Sequence, residues 1–402
     1  MTWQERALGD CVTFASGGTP NKGKPEYWNG EIPWVSSGEM SRHFIEDTSL
    51  HITEAGAEAG SRLVPAGTVF AVVRGMSLAT EFRLACAART MAFNQDVKAL
   101  TVRDGIDSYF LFSSLRAHAN QIRDLSTEAA HGTKKLEMER LASFRIPVPE
   151  VGAQRRAADV VRNYDDLIES NRRRITLLQE SARLLYREWF VNLRFPGYQL
   201  VSMVDGLPEK WHVTKYGDIL DAIGGATPST KRLDYWDGDV VWLTPTDVTR
   251  NDCLYLPVST RKITEAGYAS CSTVLLPAGT IFMTSRASIG YFALLDQPAC
   301  TNQGFIAIVP KLSNTRNFLL LNLMSRVDEF EAMATGSTFK ELGKKTFREM
   351  RVLMPSQEVL DAFEAATLPI IEQVTVLKKQ IVALTRARDE LLPKLMSGAI
   401  QV

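Results

Sequence analysis

The chain lacks most of what would mark it as a membrane protein, an exported scaffold or a common enzyme. It contains no run of about 18 apolar residues, so no segment is suited to cross a bilayer as a helix. Its opening, MTWQERALGD, has no basic-then-apolar leader, which argues against export. The five cysteines (Cys11, Cys86, Cys253, Cys271, Cys300) are scattered and none belongs to a C-x-x-C pair. That pattern argues against a zinc site or a disulfide framework and fits a reducing cytoplasm. Net charge is absent as well, with 46 Lys and Arg against 46 Asp and Glu. Residues 1–150 are slightly acidic, 16 basic side chains against 18 acidic ones. Bulk electrostatics therefore gives no case for nucleic acid, and any such binding must use local patches or a basic partner.

Catalytic motifs are missing too. GSTFKELGKKT, from Gly336, places six residues between its glycines, where an ATP-binding loop needs four. There is no Asn-Pro-Pro-Tyr-like quartet, no G-x-S-x-G and no H-E-x-x-H. The five histidines (His43, His51, His118, His131, His212) show no ligand spacing. Glu39 and Asp247 occupy matching positions, but one carboxylate per domain is not the pair that acid–base hydrolysis uses. No catalytic residue and no metal site is expected on this chain.

What is present is a duplication. GGTPNKGKPEYWNG at Gly17 returns without a gap as GATPSTKRLDYWDG at Gly225, and Trp34 returns as Trp242. ITEAG at Ile52 recurs at Ile263, and LVPAGTVF at Leu63 as LLPAGTIF at Leu275. Arg74 is answered by Arg286, and Asn94-Gln95 by Asn302-Gln303. GTKKLEMERLASFRIPVP, from Gly132, parallels GSTFKELGKKTFREMRVLMP. A period near 200 residues means duplicated domains rather than a solenoid. Segments such as GTVFAVV and GTIFMTS, bounded by Gly and Pro, read as strands, and 108–125 and 314–333 read as helices, so each copy is mixed α/β.

A long helical pattern follows each copy. Gly and Pro vanish from Ala153 to Phe195, and Val161, Tyr164, Ile168, Ile175, Leu178, Ala182, Leu185 and Trp189 recur at steps of three and four, with Asn171 on the same seam. After the second copy, Ile370, Val374, Leu377, Ile381, Leu384, Leu391 and Leu395 do likewise, with Arg388 on the seam. Two such stripes bury one another most simply as a coiled-coil pair, the alternative being helices packed on their own domains. A helix of roughly 35–40 residues is about 55–60 Å long, and an antiparallel pair would hold two modules at its opposite ends. Pro369 is expected to kink the second helix or split off a first segment near 357–367.

Two related modules at a fixed separation suit a ligand with two related sites, and duplex DNA is the natural candidate. Arg74 and Arg286, in Gly/Ser turns after a strand, could reach guanine or phosphate, or form surface ion pairs. Lys134, Lys135, Lys340, Lys344 and Lys345 follow Gly-Thr or Gly-Ser-Thr turns and read either as phosphate contacts or as a solvated face. Ser36, Ser37, Glu39, Thr244, Thr246 and Asp247 follow Trp34 and Trp242, where they could read base edges or cap turns. Tyr27, Trp28, Tyr235 and Trp236 read as core or loop anchors before stacking residues. Arg172, Arg173 and Arg174 are a solvated helix face or a track for phosphates.

These residues resemble the specificity subunit of type I restriction–modification enzymes. The likeness rests on the doubled GGTP…YW-G…W opening with Thr19 and Thr227, the LPAGT strand, the Arg-containing turn, the Asn-Gln pair, the G-[ST]-x-x-K-x-L…P-x-P ending and the closing LLPKLMSG. It covers essentially the whole chain. The resemblance implies an α/β (α+β) protein with two similar target-recognition domains, separated by a pair of long antiparallel coiled-coil helices in a pseudo-two-fold arrangement. The expected boundaries are 1–151 and 196–355 for the recognition domains, with helical regions at 152–195 and 356–402. The seam would be built from Ile168, Asn171, Ile175, Leu178, Leu185, Trp189, Ile370, Leu377, Ile381, Leu384 and Leu391.

The same resemblance implies reading of a bipartite, asymmetric double-stranded DNA site whose spacer the helices set. Two modification (methyltransferase) subunits would carry S-adenosylmethionine, and restriction subunits would bring ATP and magnesium, leaving no cofactor on this chain. The alternative is a recognition subunit of another phage-defence adenine methyltransferase that lacks a restriction partner.

Overall fold

In the computed structural model, residues 3–40, 42–129 and 133–402 are described. His131 and Gly132, which the sequence reading singled out, lie outside them. No described helix is long and apolar enough to cross a membrane. The chain divides into two compact units, one of Met1–Leu167 with Leu384–Val402, the other Ile168–Ala383.

The first unit is built on a five-stranded sheet in the order Val12–Ser16, Val97–Val102, Val69–Val72, Leu84–Ala87, Phe44–Ile45. A four-stranded sheet sets Trp28–Val35 between His51–Ile52 and Met91–Phe93, with Leu63–Val64 at its edge. Val69, Phe70, Ala71 and Val72 are all buried, as expected of a strand covered on both faces. Gln4–Ala7 closes the unit against Arg145–Val148.

The second unit repeats this plan. Leu220–Ile223, Phe305–Pro310, Ile281–Thr284 and Phe292–Leu294 form one sheet, and Trp236–Leu243 lies between Arg261–Ile263 and Cys300–Thr301 in another. His212–Lys215 pairs with Arg351–Met354. The predicted helices over 108–125 and 314–333 are each two: Ser108–Ala117 with Ala119–Asp124, and Arg316–Met324 with Val327–Met333. His118 and Arg326 sit at the breaks in non-helical backbone.

The recurring motifs prove to be structural joints. Trp28 and Trp34 meet edge to face at 5.4 Å, and Trp236 and Trp242 at 5.1 Å, a geometry worth about 0.5–1.5 kcal/mol beyond burial. The indole N–H of Trp34 donates to the Gly18 carbonyl and that of Trp242 to Ala226, both at 3.0 Å. A Cβ on Gly17 would lie 2.1 Å from the Phe93 carbonyl oxygen, and one on Gly225 2.0 Å from that of Thr301, so only glycine fits either turn. ITEAG is a helix start in both copies: Thr53 accepts from Gly56 N–H and Thr264 from Gly267 N–H, each at 3.1 Å.

The long helices span Val151–Tyr186 and Gln357–Met396. At 1.5 Å per residue they are about 54 and 60 Å long. Within the second unit, Asn171 donates to Gln380 while Phe190 packs on Phe363 at 4.7 Å, so their stretches there run antiparallel. In the first unit, Ala157, Ala158 and Val161 share a core with Leu392, Leu395 and Met396. Pro369 neither splits the helix nor sets off a segment at 357–367; the helix is continuous through it. Pro369 and Ala365 are both exposed, so the carbonyl that loses its partner faces solvent.

The seam matches the heptad reading with small rotations. Ile168, Asn171, Ile175, Trp189, Leu377 and Ile381 are buried, whereas Leu178, Leu185, Ile370, Leu384 and Leu391 are half-buried. Tyr164 is only half-buried; its neighbour Asp165 takes the interior position. The Asp165 carboxylate receives Arg116 and the Tyr109 hydroxyl on one oxygen, both at 2.7 Å, and Arg388 on the other at 2.6 Å. Burial by itself would raise its pKa, but the two guanidiniums and the tyrosine hold it below the usual carboxylate range.

Candidate nucleic-acid interface

In the first unit the backbone brings several of the sequence candidates to one surface. Lys134–Lys135 is a short strand that pairs on one side with Thr127–Glu128 and on the other with Arg74–Gly75. Arg74 stands opposite Lys135 in that ladder and is exposed. A groove beside them is lined by Arg74, Gln95, Lys98, Lys135 and Glu137. Lys135 is tied to Glu137 at 2.9 Å, and Lys134 lies 4.0 Å from Glu128. Exposed ion pairs of this kind contribute little to stability and exchange readily for a stronger anion.

The second unit shows the same scaffold with different chemistry. Arg286 bridges Glu341 where Arg74 met Lys135, and its guanidinium lies 3.8 Å from that carboxylate. Thr335 and Glu341 close a loop that presents Ser337, Thr338, Phe339 and Lys340, all exposed. The turns after the two arginines also differ. Gly75 has φ +137° and leads into a short helical turn at Met76–Ala79, whereas Ala287 at φ +63° and Gly290 at φ +83° shape the turn after Arg286. Lys344 and Lys345 begin the helix Lys344–Glu349 and are exposed.

Other candidates are committed elsewhere. Asp247 is 6% exposed, and each of its carboxylate oxygens takes two donors. Thr244 donates from its amide and its hydroxyl at 2.8 Å, and Thr260 from its amide at 2.9 Å and its hydroxyl at 2.6 Å. Burial would raise its pKa, but the Thr260 and Thr244 hydrogen bonds hold it low. With no lone pair left for a cytosine amine, Asp247 is a capping residue, and the base-reading assignment is corrected. Glu39 repeats half of this arrangement in the first unit, accepting on one carboxylate oxygen from the Ser49 amide at 3.2 Å and from its hydroxyl. Ser36 and Ser37 are half-buried beside it, Thr244 belongs to the Asp247 cap, and Thr246 is exposed. Arg172 lies against Glu169 and Asp252 rather than on an open face.

Thr19 and Thr227, DNA-binding candidates from the sequence, are each held by a glutamine to which the sequence assigned no role. Thr19 donates to the Gln95 carboxamide oxygen at 2.7 Å, and Thr227 to that of Gln303 at 2.6 Å. Both glutamines are exposed, and their separation from the threonine is 76 residues in each copy. The signal was available: the Thr and the Asn-Gln pair recur at one offset, 208 residues.

A family model described as the type I restriction modification DNA specificity domain matches residues 1–180 and again 208–381. The chain belongs to this family. As a type I specificity subunit it is similar over its whole length to the MjaIX specificity subunit of Methanocaldococcus jannaschii, at 24% identity across 94% of that protein. It is 29% identical to the EcoR124I/EcoR124II specificity subunit of Escherichia coli over 41% of each chain. The fold resembles the crystal structure of the type I S subunit from M. genitalium, with TM-score 0.62, 17% identity and coverage of 98% and 96% of the two chains. Specificity subunits serve DNA recognition, which agrees with a duplicated architecture carrying exposed basic groups at the same place in each copy.

Proposed function

We propose that this specificity subunit reads a bipartite, asymmetric site on double-stranded DNA, one unit per half-site. The single observation that carries the reading is the contrast within the duplication. Structural joints (the Trp pairs, the glycine contacts and the Thr caps) are the same in both copies, whereas side chains around Arg74 and Arg286 differ. One frame with two different rims suits two different base sequences. The residues that would face DNA are Thr19, Arg74, Lys134 and Lys135 in the first unit, and Thr227, Arg286, Lys340, Lys344 and Lys345 in the second. The long helices would set the spacer and dock two modification subunits, which hold S-adenosylmethionine. Restriction subunits would add ATP-driven, magnesium-dependent cleavage in the cytoplasm, and this chain would catalyse none of these steps.

Methylome sequencing of cells carrying the intact chain, or one in which residues 1–150 come from a relative, tests the reading. The expected result is a change in one half-site alone. Deleting about seven residues from each long helix should change the spacer and leave both half-sites intact. Altered half-sites after the helix deletion, or two altered half-sites after the exchange, would overturn it.

A further inference from the structure

Between the two copies, one lysine and one apolar residue have exchanged places. In the first unit Lys98 stands on the strand Val97–Val102, and Met138 opens the helix Met138–Ser143. In the second unit the strand position is Ile306 and the helix position is Lys344. The Asn-Gln pairs align the strands, and Arg145–Val148 with Arg351–Met354 aligns the helices.

Both arrangements deliver an ammonium to the same point of the frame. Lys98 Nζ donates to the Ser16 hydroxyl. Gly224 replaces Ser16, and Lys344 Nζ lies 2.7 Å from where a Cβ on Gly224 would stand. The backbone that supplies the charge has changed while the place of the charge has not. Packing alone does not call for this, because either position accepts an apolar side chain in the other copy. Burial lowers the pKa of Lys98. Two carboxylates line the same groove: Glu137, which Lys135 pairs at 2.9 Å, and the exposed Glu139.

Each unit also carries a Thr–Gln pair, which in the first lies on the groove with the ammonium. The threonine hydroxyl takes the carboxamide oxygen and leaves the NH2 as a donor. In the first unit Gln95, Lys98 and Arg74 line one groove. We propose that each unit carries a clamp for one backbone phosphate of duplex DNA, formed by Lys98, Gln95 and Arg74 in the first and by Lys344, Gln303 and Arg286 in the second. This rests on the DNA reading above and assigns that face an internal division. Groups common to both copies hold the sequence-independent backbone, and groups that differ, such as Lys135 against Glu341, meet the bases.

The test is fluorescence anisotropy of the full chain with its modification subunits, on a panel of short duplexes at several salt concentrations. Lys98→Ile should weaken binding to every duplex by the same factor and reduce the slope of log affinity against log salt by about 0.9. A fourfold rise in salt then weakens the parent about 3.5-fold more than the variant. Adding Met138→Lys, which copies the second unit's arrangement, should restore both affinity and slope. In the second unit Lys344→Met and its rescue by Ile306→Lys should behave alike. An unchanged slope, a failed rescue in a complex that still assembles, or a loss confined to particular sequences would overturn the clamp. If Arg74→Ala is equally silent while the complex still methylates its own site, the DNA reading of this face falls too.

Discussion

Substitution of Asp165 by Asn removes one charge from the interior of the first unit while keeping volume and one acceptor. Its consequence follows from the neighbours it leaves. Arg116 and Arg388, with side chains only 7% and 8% exposed, both depend on this carboxylate, Arg388 having Asp389 besides. Breaking a buried ion pair by deleting one partner costs about 3–5 kcal/mol, because the remaining charge is stranded. For a unit of this size each kcal/mol moves the melting temperature by about 2–4 °C, so a fall of roughly 6–20 °C is expected for the first unit's transition in calorimetry. The pH dependence gives a second readout. The folded-state pKa of Asp165 is lowered, so its contribution is complete above the unfolded carboxylate value of about 4 and is lost as pH falls through the folded value. Acid sensitivity should therefore be blunted in Asp165→Asn. Replacing Asp165, Arg116 and Arg388 together by Leu, Met and Met should recover much of the loss. A melting temperature within about 2 °C of the parent for Asp165→Asn alone, equivalent to under 1 kcal/mol, would refute this account.

Gly225→Ala should destabilise the second unit by at least about 1–3 kcal/mol in urea denaturation, since its methyl would lie 2.0 Å from the Thr301 carbonyl oxygen. Asp247→Ala should cost about 1.5–3 kcal/mol in the same unit yet leave the methylated sequence unchanged, and an altered sequence would restore it as a base reader. Asn171→Leu exchanges a 3.3 Å hydrogen bond to Gln380 for apolar contact. It should raise stability by up to about 2 kcal/mol while loosening the register, which cysteine crosslinks placed along the seam would report.

Much of the fold could be read from residue patterns because duplication doubles every signal. The Trp, Gly and Thr positions that recur are those where a contact admits one residue type, and the helical seam follows apolar spacing. Asn171 was found as the gap in that spacing. Asp165 escapes the heptad pattern, which favours the neighbouring Tyr164, and nothing local reveals that Arg116, 49 residues upstream, and Arg388, 223 residues downstream, converge on it. Asp247 misled for a similar reason: a carboxylate after a strand reads as available until the Thr260 loop folds over it. Pro369 warned of a break that its exposed position makes unnecessary. At the rim, the Lys98–Ile306 and Met138–Lys344 exchange cannot be seen by aligning positions singly, since charge is retained only in three dimensions.

The first unit is not contiguous in the chain: it incorporates Leu384–Val402, including the core residues Leu392, Leu395 and Met396. Translation therefore delivers residues 1–167 long before the segment that completes their unit, and Asp165 lacks one of its arginines until Arg388 has been made. The second unit, by contrast, is one continuous stretch, Ile168–Ala383. A lesion at Leu392, Leu395 or Met396 is thus, structurally, a lesion of the amino-terminal module.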